Sequence, residues 1–270
     1  MNKLHLILLL VTAAMLILSA CGGSAKSWDE EAVVASDRIL ADNVEAAWTV
    51  EPEAAAGAGE TIRLTLSRTD GRSIDGFDIT HEKLLHLIVV SQDLSYFAHI
   101  HPEHLGEGVF EVANDFPAGG AYRLIADFKP TGGDSMTKMA WVDVSGEPAE
   151  QMPVAPDGVV ERVANGTRVA LAAADGGAED ELSLTFTLTE EASGEPVTDL
   201  EPYLGAIGHV VLLSADGEKY VHVHAEEGQG TGPTAAFEAT LPGSGVYKVW
   251  GQFQRDGEVF TVPYVLDVAE

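Results

Sequence analysis

The chain has 270 residues, of which 43 are acidic and 15 are basic, and its formal net charge at pH 7 is −28. A surface with this charge repels phosphate backbones, which argues against nucleic acid as a partner. The charge also disfavours docking on anionic lipid, whereas it concentrates cations near the protein.

The N-terminus has the three-part build of a secretory signal peptide, which we assign to residues 1–20. A short positive start is followed by an almost wholly apolar run at residues 4–18 and then by small residues directly before Cys21, the only cysteine of the chain. The segment resembles a bacterial lipoprotein signal, and this resemblance implies cleavage before Cys21 and acylation of its thiol. An uncleaved N-terminal helix with an incidental cysteine is the alternative. Acylation would leave no thiol for disulfides or metal sites.

Two copies of one domain follow. The segment from His86 to Glu103 aligns without a gap with the segment from His209 to Glu226. Around them lie short β-branched and aromatic runs that are broken by Asp-Gly and Pro-Gly turns, a pattern typical of antiparallel β-sandwiches. The sequence therefore predicts an all-β protein with a tether at residues 22–43, a first sandwich at 44–145, a proline-containing linker at 146–160 and a second sandwich at 161–270.

A tyrosine follows a Pro-Gly-type turn at the same place in each copy, in the segments Pro117-Ala-Gly-Gly-Ala-Tyr122 and Pro242-Gly-Ser-Gly-Val-Tyr247. This place suits the tyrosine corner of immunoglobulin-like sandwiches, in which the hydroxyl bonds to nearby backbone. An ordinary strand tyrosine is the alternative.

Each predicted hairpin carries three histidines at matched positions. His99 and His101 are two residues apart on one strand, so their side chains share a face. If Ser91 pairs with Leu94, the same register sets His86 opposite His99, and a register slipped by two residues sets His86 opposite His101. Either register brings the three imidazoles together, since directly opposed Cβ atoms lie about 5 Å apart. The same register argument brings His209, His222 and His224 together on one face of the second hairpin.

Three neutral imidazoles with an open fourth position suit Zn²⁺ or Cu²⁺. The alternative is that the imidazoles bond to loop carbonyls at one end of the sandwich. His81 and His104 occur only in the first copy, and we expect them to be solvated loop residues. The predicted metal ligands are His86, His99 and His101 in the first copy and His209, His222 and His224 in the second, with Glu103 and Glu226 added if the strands stay regular.

Either face of the first hairpin is apolar enough to be buried. Ile88 and Val90 share the face of the histidines, whereas Leu87 and Val89 share the other face. If the histidine face points into the sandwich, the imidazoles lie at its open end.

At these residues the chain resembles the extracytoplasmic YtkA-like and FixH-like β-sandwich domains and, more distantly, copper-resistance and cupredoxin-like domains. The resemblance covers both repeats and rests on the lipoprotein start, the Pro-Gly-Tyr strand entry and the histidine hairpins. It implies immunoglobulin-like or cupredoxin-like domains that handle metal, with copper as the expected metal, on the outer face of the cytoplasmic membrane. The Cys-His-Met grouping of blue-copper sites is absent, which argues against electron transfer.

The sequence thus predicts a lipid-anchored protein that binds a divalent metal through one histidine cluster in each repeat. We expect binding rather than catalysis, because the duplicated sites lack a distinct acid–base constellation. Two other functions stay open. One is a structural or adhesive surface module whose histidines pack, and the other is a metalloenzyme with a three-histidine site.

Overall fold

The structure, a computed structural model, describes residues 38–51, 55–158, 160–175, 181–226 and 228–269. The predicted signal peptide, Cys21 and most of the tether lie outside this range. From residue 38 onwards the chain forms one compact unit. Within the described ranges, no helix is both long enough and apolar enough to span a membrane.

The first repeat consists of eight strands after a short 3-10 helix at Ala41–Asn43. These strands are β1 (Val44–Glu51), β2 (Glu60–Arg68), β3 (Leu85–Ser91), β4 (Phe97–Ile100), β5 (Glu103–Gly106), β6 (Val109–Asn114), β7 (Gly120–Phe128) and β8 (Met136–Val144). They form two antiparallel sheets with the strand orders β1-β2-β6-β5 and β4-β3-β7-β8.

The second repeat has the same two-sheet build. Its strands are β9 (Glu161–Ala164), β10 (Thr167–Asp175), β11 (Glu181–Glu190), β12 (His209–Ser214), β13 (Tyr220–His224), β14 (Thr234–Thr240), β15 (Gly245–Arg255) and β16 (Glu258–Val268). The sheets have the orders β14-β11-β10-β9 and β13-β12-β15-β16. The prediction of an all-β chain with two tandem β-sandwich repeats is therefore confirmed.

Each repeat encloses its own apolar core between its two sheets. In β2 the side chains of Ile62, Leu64 and Leu66 are buried while those between them are more exposed, the period-two pattern of a strand with one inner face. The second repeat repeats this pattern in β11, where Leu184 and Phe186 are fully buried. The alternation seen in the sequence thus positions the sandwich cores.

Strand β3 is buried on both faces, and its two faces belong to different cores. Leu87 and Val89 pack inside the first sandwich, whereas Ile88 and Val90 join a third apolar cluster. The remaining buried members of this inter-repeat cluster come from both repeats and are Leu94, Ile125, Val211, Leu213 and Trp250. The histidine face of the hairpin therefore lies against the other repeat and does not point into its own sandwich.

Both predicted tyrosine corners are present. The Tyr122 hydroxyl donates to the carbonyl of Ala118 at 2.9 Å, and the Tyr247 hydroxyl donates to the carbonyl of Gly243 at 2.7 Å. Each tyrosine therefore fixes the turn four residues before it onto the strand that follows.

The segment between the repeats is attached to both of them. The Met152 backbone N–H donates to the carboxylate of Asp93 at 3.0 Å. Asp157 bonds to Val265 in both directions, as its N–H donates at 3.0 Å and its carboxylate accepts at 2.7 Å. Val154, between these two anchor points, packs against the inter-repeat cluster.

Candidate metal centre

The register of the hairpins is the slipped one in both repeats. In the first, Ile88 pairs with His99 and Leu87 with Ile100, which sets His86 opposite His101. In the second, His209 pairs directly with His224. The three imidazoles of each hairpin share one face, as their spacing predicts.

A duplicated serine and aspartate build the loop that sets this register. The Ser91 hydroxyl donates to Asp93 at 2.6 Å and accepts from the backbone N–H of Tyr96 at 2.9 Å. In the second repeat, the Ser214 hydroxyl likewise bonds to Asp216 and accepts from the N–H of Lys219. These side chains stabilise a four-residue loop. The alternative register, in which Ser91 pairs with Leu94, would need a tighter turn of two residues.

A tight turn before each hairpin holds the first histidine of the triad. The Thr80 N–H and carbonyl bond to Lys83 across the turn, and the same carbonyl lies 3.0 Å from His86 Nε2. In the second repeat, the carbonyl of Tyr203 lies 2.8 Å from His209 Nε2. A carbonyl only accepts, so Nε2 carries the proton in both rings and Nδ1 is left with a lone pair in the neutral imidazole.

The second histidine of each triad is held by a side chain of the other repeat. His99 Nδ1 lies 2.7 Å from Oε1 of Gln252, and His222 Nδ1 lies 3.4 Å from Oδ2 of Asp127. The amide oxygen and the carboxylate oxygen both accept, so Nδ1 carries the proton. The Nε2 atoms of His99 and His222 therefore present lone pairs.

These lone pairs face each other within each triad. His86 Nδ1 lies 3.0 Å from His99 Nε2, and His209 Nδ1 lies 3.4 Å from His222 Nε2. Two nitrogens bonded to one tetrahedral zinc ion at 2.0–2.1 Å lie about 3.3 Å apart, so the observed distances match a shared metal ion. Without a proton or a metal between them, the two nitrogens of each pair repel each other.

The third histidine of each triad contributes an unused nitrogen. His101 Nε2 and His224 Nε2 are buried and have no hydrogen-bond partner within the part of the chain that the structure describes. Each group of three histidines offers one nitrogen per ring such that all three nitrogens lie within 4.8 Å of one another. A group of three imidazole nitrogens this close together could hold one metal ion.

Burial keeps these imidazoles neutral. It lowers the pKa of His101 from its ordinary value of 6.5 to about 3 and that of His209 to about 4. The pKa values of His99 and His222 are held well below 6.5 by burial and by the neighbouring histidines. Neutral imidazole is the form that binds metal, so protons compete weakly for these nitrogens at neutral pH.

The two triads adjoin across the inter-repeat interface. The ring centroid of His222 lies 5.3 Å from that of His86 and 5.1 Å from that of His99. His81 is an exposed residue overall, but its ring stacks on that of His224, with centroids 3.1 Å apart. The six matched histidines thus form one cluster between the repeats, with His81 at its edge.

The two glutamates predicted as additional ligands lie elsewhere. The first hairpin ends at Ile100, and Glu103 is exposed at the start of β5, which belongs to the opposite sheet. Glu226 is exposed beyond the end of β13, and its N–H donates to the carbonyl of Ala236. The strands do not stay regular past the last histidine, so the condition for carboxylate ligation is not met.

The expectation that His104 is a solvated loop residue is wrong. It lies in β5 and is half-buried, and its ring stacks on Phe110 at 4.7 Å and meets Phe77 edge-on at 5.2 Å. It is a packing residue of the first sandwich. His81 does lie in an exposed turn, but its contact with His224 was not predicted.

Sequence reasoning also missed four groups that orient the ligands. Thr80 and Tyr203 each lie six residues before the first histidine of a triad. This shared spacing is visible when the two copies are aligned, but it does not show that the backbone carbonyls bond to the histidines. Asp127 and Gln252 act across the interface, and no local pattern reveals how two repeats dock.

Comparison with curated protein sequences gave no match. Among solved structures, the chain is similar to invasin, a bacterial integrin-binding protein, with 14% identity and a TM-score of 0.25 over 82% of this chain and 39% of that one. It is also similar to a tetra-tandem repeat from the extending region of a large adhesion protein, with 12% identity and a TM-score of 0.27 over 83% of this chain and 49% of that one.

A two-domain fibronectin type III segment of chicken tenascin is similar as well, with 15% identity and a TM-score of 0.23 over 82% of this chain and 98% of that one. The chain spans less than two thirds of the invasin and large adhesion structures.

A sequence family matches both repeats, at residues 40–146 and 161–270. The two matches contain one histidine triad each. The chain therefore belongs to the family described as a domain of unknown function, DUF8832, and carries two copies of that domain.

Proposed function

We propose that this protein binds one divalent metal ion through each histidine triad. The observation that carries the proposal is the pair of facing lone pairs in each repeat, between His86 Nδ1 and His99 Nε2 at 3.0 Å and between His209 Nδ1 and His222 Nε2 at 3.4 Å. A cation placed between such nitrogens turns their repulsion into two coordination bonds. The buried third nitrogens of His101 and His224 supply a further ligand each.

The packing of the repeats argues against a purely structural role for these histidines. The inter-repeat cluster already supplies apolar contacts for docking, including the stacking of Phe97 on Trp250 at 4.7 Å. Burying several polar rings beside it costs free energy unless their nitrogens find partners. An arrangement that leaves ligand nitrogens unpaired or facing each other is better explained by a bound ion than by packing.

The ligand chemistry favours copper as the metal. An all-imidazole set suits Cu²⁺ and Zn²⁺, and Cu²⁺ binds more tightly in the usual order of divalent affinities. The resemblance to YtkA-like and copper-resistance domains supports the same choice. In a competition at equal concentrations of the two ions, we expect copper to displace zinc.

We further propose that the protein works at the outer face of the cytoplasmic membrane, held by lipid on Cys21. The support for this location is the lipoprotein-type start of the sequence, with its apolar run and small residues before the single cysteine. The acidic composition, with a net charge of −28, would draw cations towards the sites.

Metal analysis of the purified full-length protein tests the proposed function. We expect two equivalents of metal in the wild type and none in a variant with all six triad histidines replaced by glutamine. A matched control is His104→Gln, which alters a histidine outside the triads and should leave the metal content unchanged. Equal metal content in the wild type and the six-histidine variant would overturn the proposal.

A further inference from the structure

We propose that the two metal sites differ in affinity, and that the site of His209, His222 and His224 is the tighter one because Asp127 of the other repeat supports it. This inference rests on the proposed function and deepens it. It depends on the fact that Asp127 in the first repeat and Gln252 in the second occupy equivalent positions but differ in charge.

Asp127 and Gln252 occupy corresponding places. Asp127 in β7 is the register partner of His86, and Gln252 in β15 is the register partner of His209. Each reaches across the interface to Nδ1 of the second histidine in the other triad. The first repeat therefore supports the second site with a carboxylate, whereas the second repeat supports the first site with a neutral amide.

This difference changes the metal affinity of the histidine ligand. A carboxylate that accepts the Nδ1 proton of a ligating imidazole raises the basicity of its Nε2, and loss of such a partner typically weakens metal binding 10- to 100-fold. The carboxylate also brings a negative charge to a site where His222 is almost wholly buried, with 2% of its side chain exposed. Electrostatic attraction to a divalent ion is strong in such surroundings.

The charges around the first site are of both signs. Lys83 ends the turn that holds His86, and its ammonium charge disfavours additional positive charge at His101. At His86 the Asp127 carboxylate acts in the opposite sense and more strongly than Lys83 does. Gln252 brings no compensating charge, because its amide is neutral and its NH₂ group donates to Thr261 at 3.3 Å. The difference between the sites is therefore the hydrogen-bond partner of the second histidine, which is a carboxylate at the second site and an amide at the first.

Titration of the full-length protein with Zn²⁺ at pH 7 tests the inference. The wild type should bind two ions in separate steps whose dissociation constants differ by about 10- to 100-fold. Asp127→Asn should weaken the tighter step more than the weaker one. Gln252→Glu, which keeps the shape of the side chain, should strengthen the weaker step, an effect that a merely structural role of this residue would not produce.

The double variant D127N/Q252E moves the carboxylate from one repeat to the other and should reverse the filling order. Single variants His101→Gln and His224→Gln, made in this background, identify the site that fills first, because only the loss of its own ligand removes the tight step. Two equal steps in the wild type, or an Asp127→Asn effect that is larger on the weaker step, would overturn the inference while two-site binding stands. Absence of any binding would overturn the proposed function as well.

Discussion

Nδ1 of His86 and Nε2 of His99 lie 3.0 Å apart, although the other nitrogen of each ring already holds the proton. The proton of His86 points to the carbonyl of Thr80 and that of His99 points to the amide oxygen of Gln252. Burial disfavours a second proton on either ring, since it lowers the pKa of both imidazoles. The metal-free protein thus keeps a repulsive contact that a bound ion removes.

A divalent metal should therefore stabilise the folded protein. Binding to the native state alone adds about 2.7 kcal/mol per site when the free ion is at 100 times its dissociation constant. Thermal unfolding followed by circular dichroism should show a higher Tm with Zn²⁺ than with a chelator. The variant lacking all six triad histidines serves as the control and should show no shift, whereas an equal shift in both proteins would place the effect outside the triads.

The stability of the metal-free protein should fall as the pH decreases from about 6.5 to about 4. Burial lowers the pKa of His209 to about 4, whereas the same side chain titrates near 6.5 in the unfolded chain. In this window the unfolded state binds more protons, so acid favours unfolding. For His209, which is fully buried, the loss amounts to about 3 kcal/mol once the pH is below its folded pKa.

Urea denaturation in the presence of a chelator at pH 7.5 and pH 4.5 measures this effect. Carboxylates also titrate over part of this range, so the comparison with a His209→Gln variant isolates the histidine. The wild type should lose more stability between the two pH values than the variant does. Identical losses would contradict the assignment of a neutral, buried His209.

Trp250 should hold the repeats together. Its ring is 2% exposed and stacks on Phe97 of the first repeat within the inter-repeat cluster. Truncation of a buried aromatic residue costs about 3–5 kcal/mol, and here we expect the loss to fall on docking because Trp250 lies outside both sandwich cores. Trp250→Ala should increase the radius of gyration measured by small-angle X-ray scattering and weaken metal binding.

Phe237→Ala provides the matched control for Trp250. Phe237 is fully buried within the core of the second sandwich, so its truncation should lower the free energy of unfolding of that repeat but leave the radius of gyration of the folded protein unchanged. If Trp250→Ala left both the radius of gyration and the metal affinity unchanged, the repeats would not depend on this cluster for docking.

Cys21 should carry the lipid anchor. The residue follows small side chains at the end of the apolar start, and acylation of its thiol would fix the mature chain to the membrane. Cys21→Ala should leave an unprocessed precursor in the membrane or release the protein into the medium. Metabolic labelling with a radioactive fatty acid checks this, and equal label in wild type and variant would refute the anchor.

The sequence predicts the composition of each triad because strand geometry is local. The spacing of His99 and His101 places them on one face, and the hairpin brings His86 to the same face in either register. The choice of register depended on the loop formed by Ser91 and Asp93, whose duplication in the second repeat was visible while its bonding was not. The face that the three histidines share was therefore predictable from the sequence, whereas the residue that lies opposite His86 was not.

The joining of the two triads was beyond sequence reasoning for a different reason. Ile88 and Val90 are as apolar as Leu87 and Val89, so composition does not tell which face enters the sandwich. The contact between His222 and Asp127 spans 95 positions in the sequence and exists only because the repeats dock face to face. Tertiary packing, which no local pattern encodes, makes one cluster from two hairpins.

Calorimetric titration with Cu²⁺ at pH 7 tests the central claim most directly. The wild type should bind two ions, and a variant with His99 and His101 both replaced by alanine should bind one. The matched variant His222→Ala/His224→Ala should also bind one, and the combination of all four substitutions should bind none. Binding no tighter than millimolar by the wild type, or two ions still bound by either double variant, would contradict metal coordination by the histidine triads.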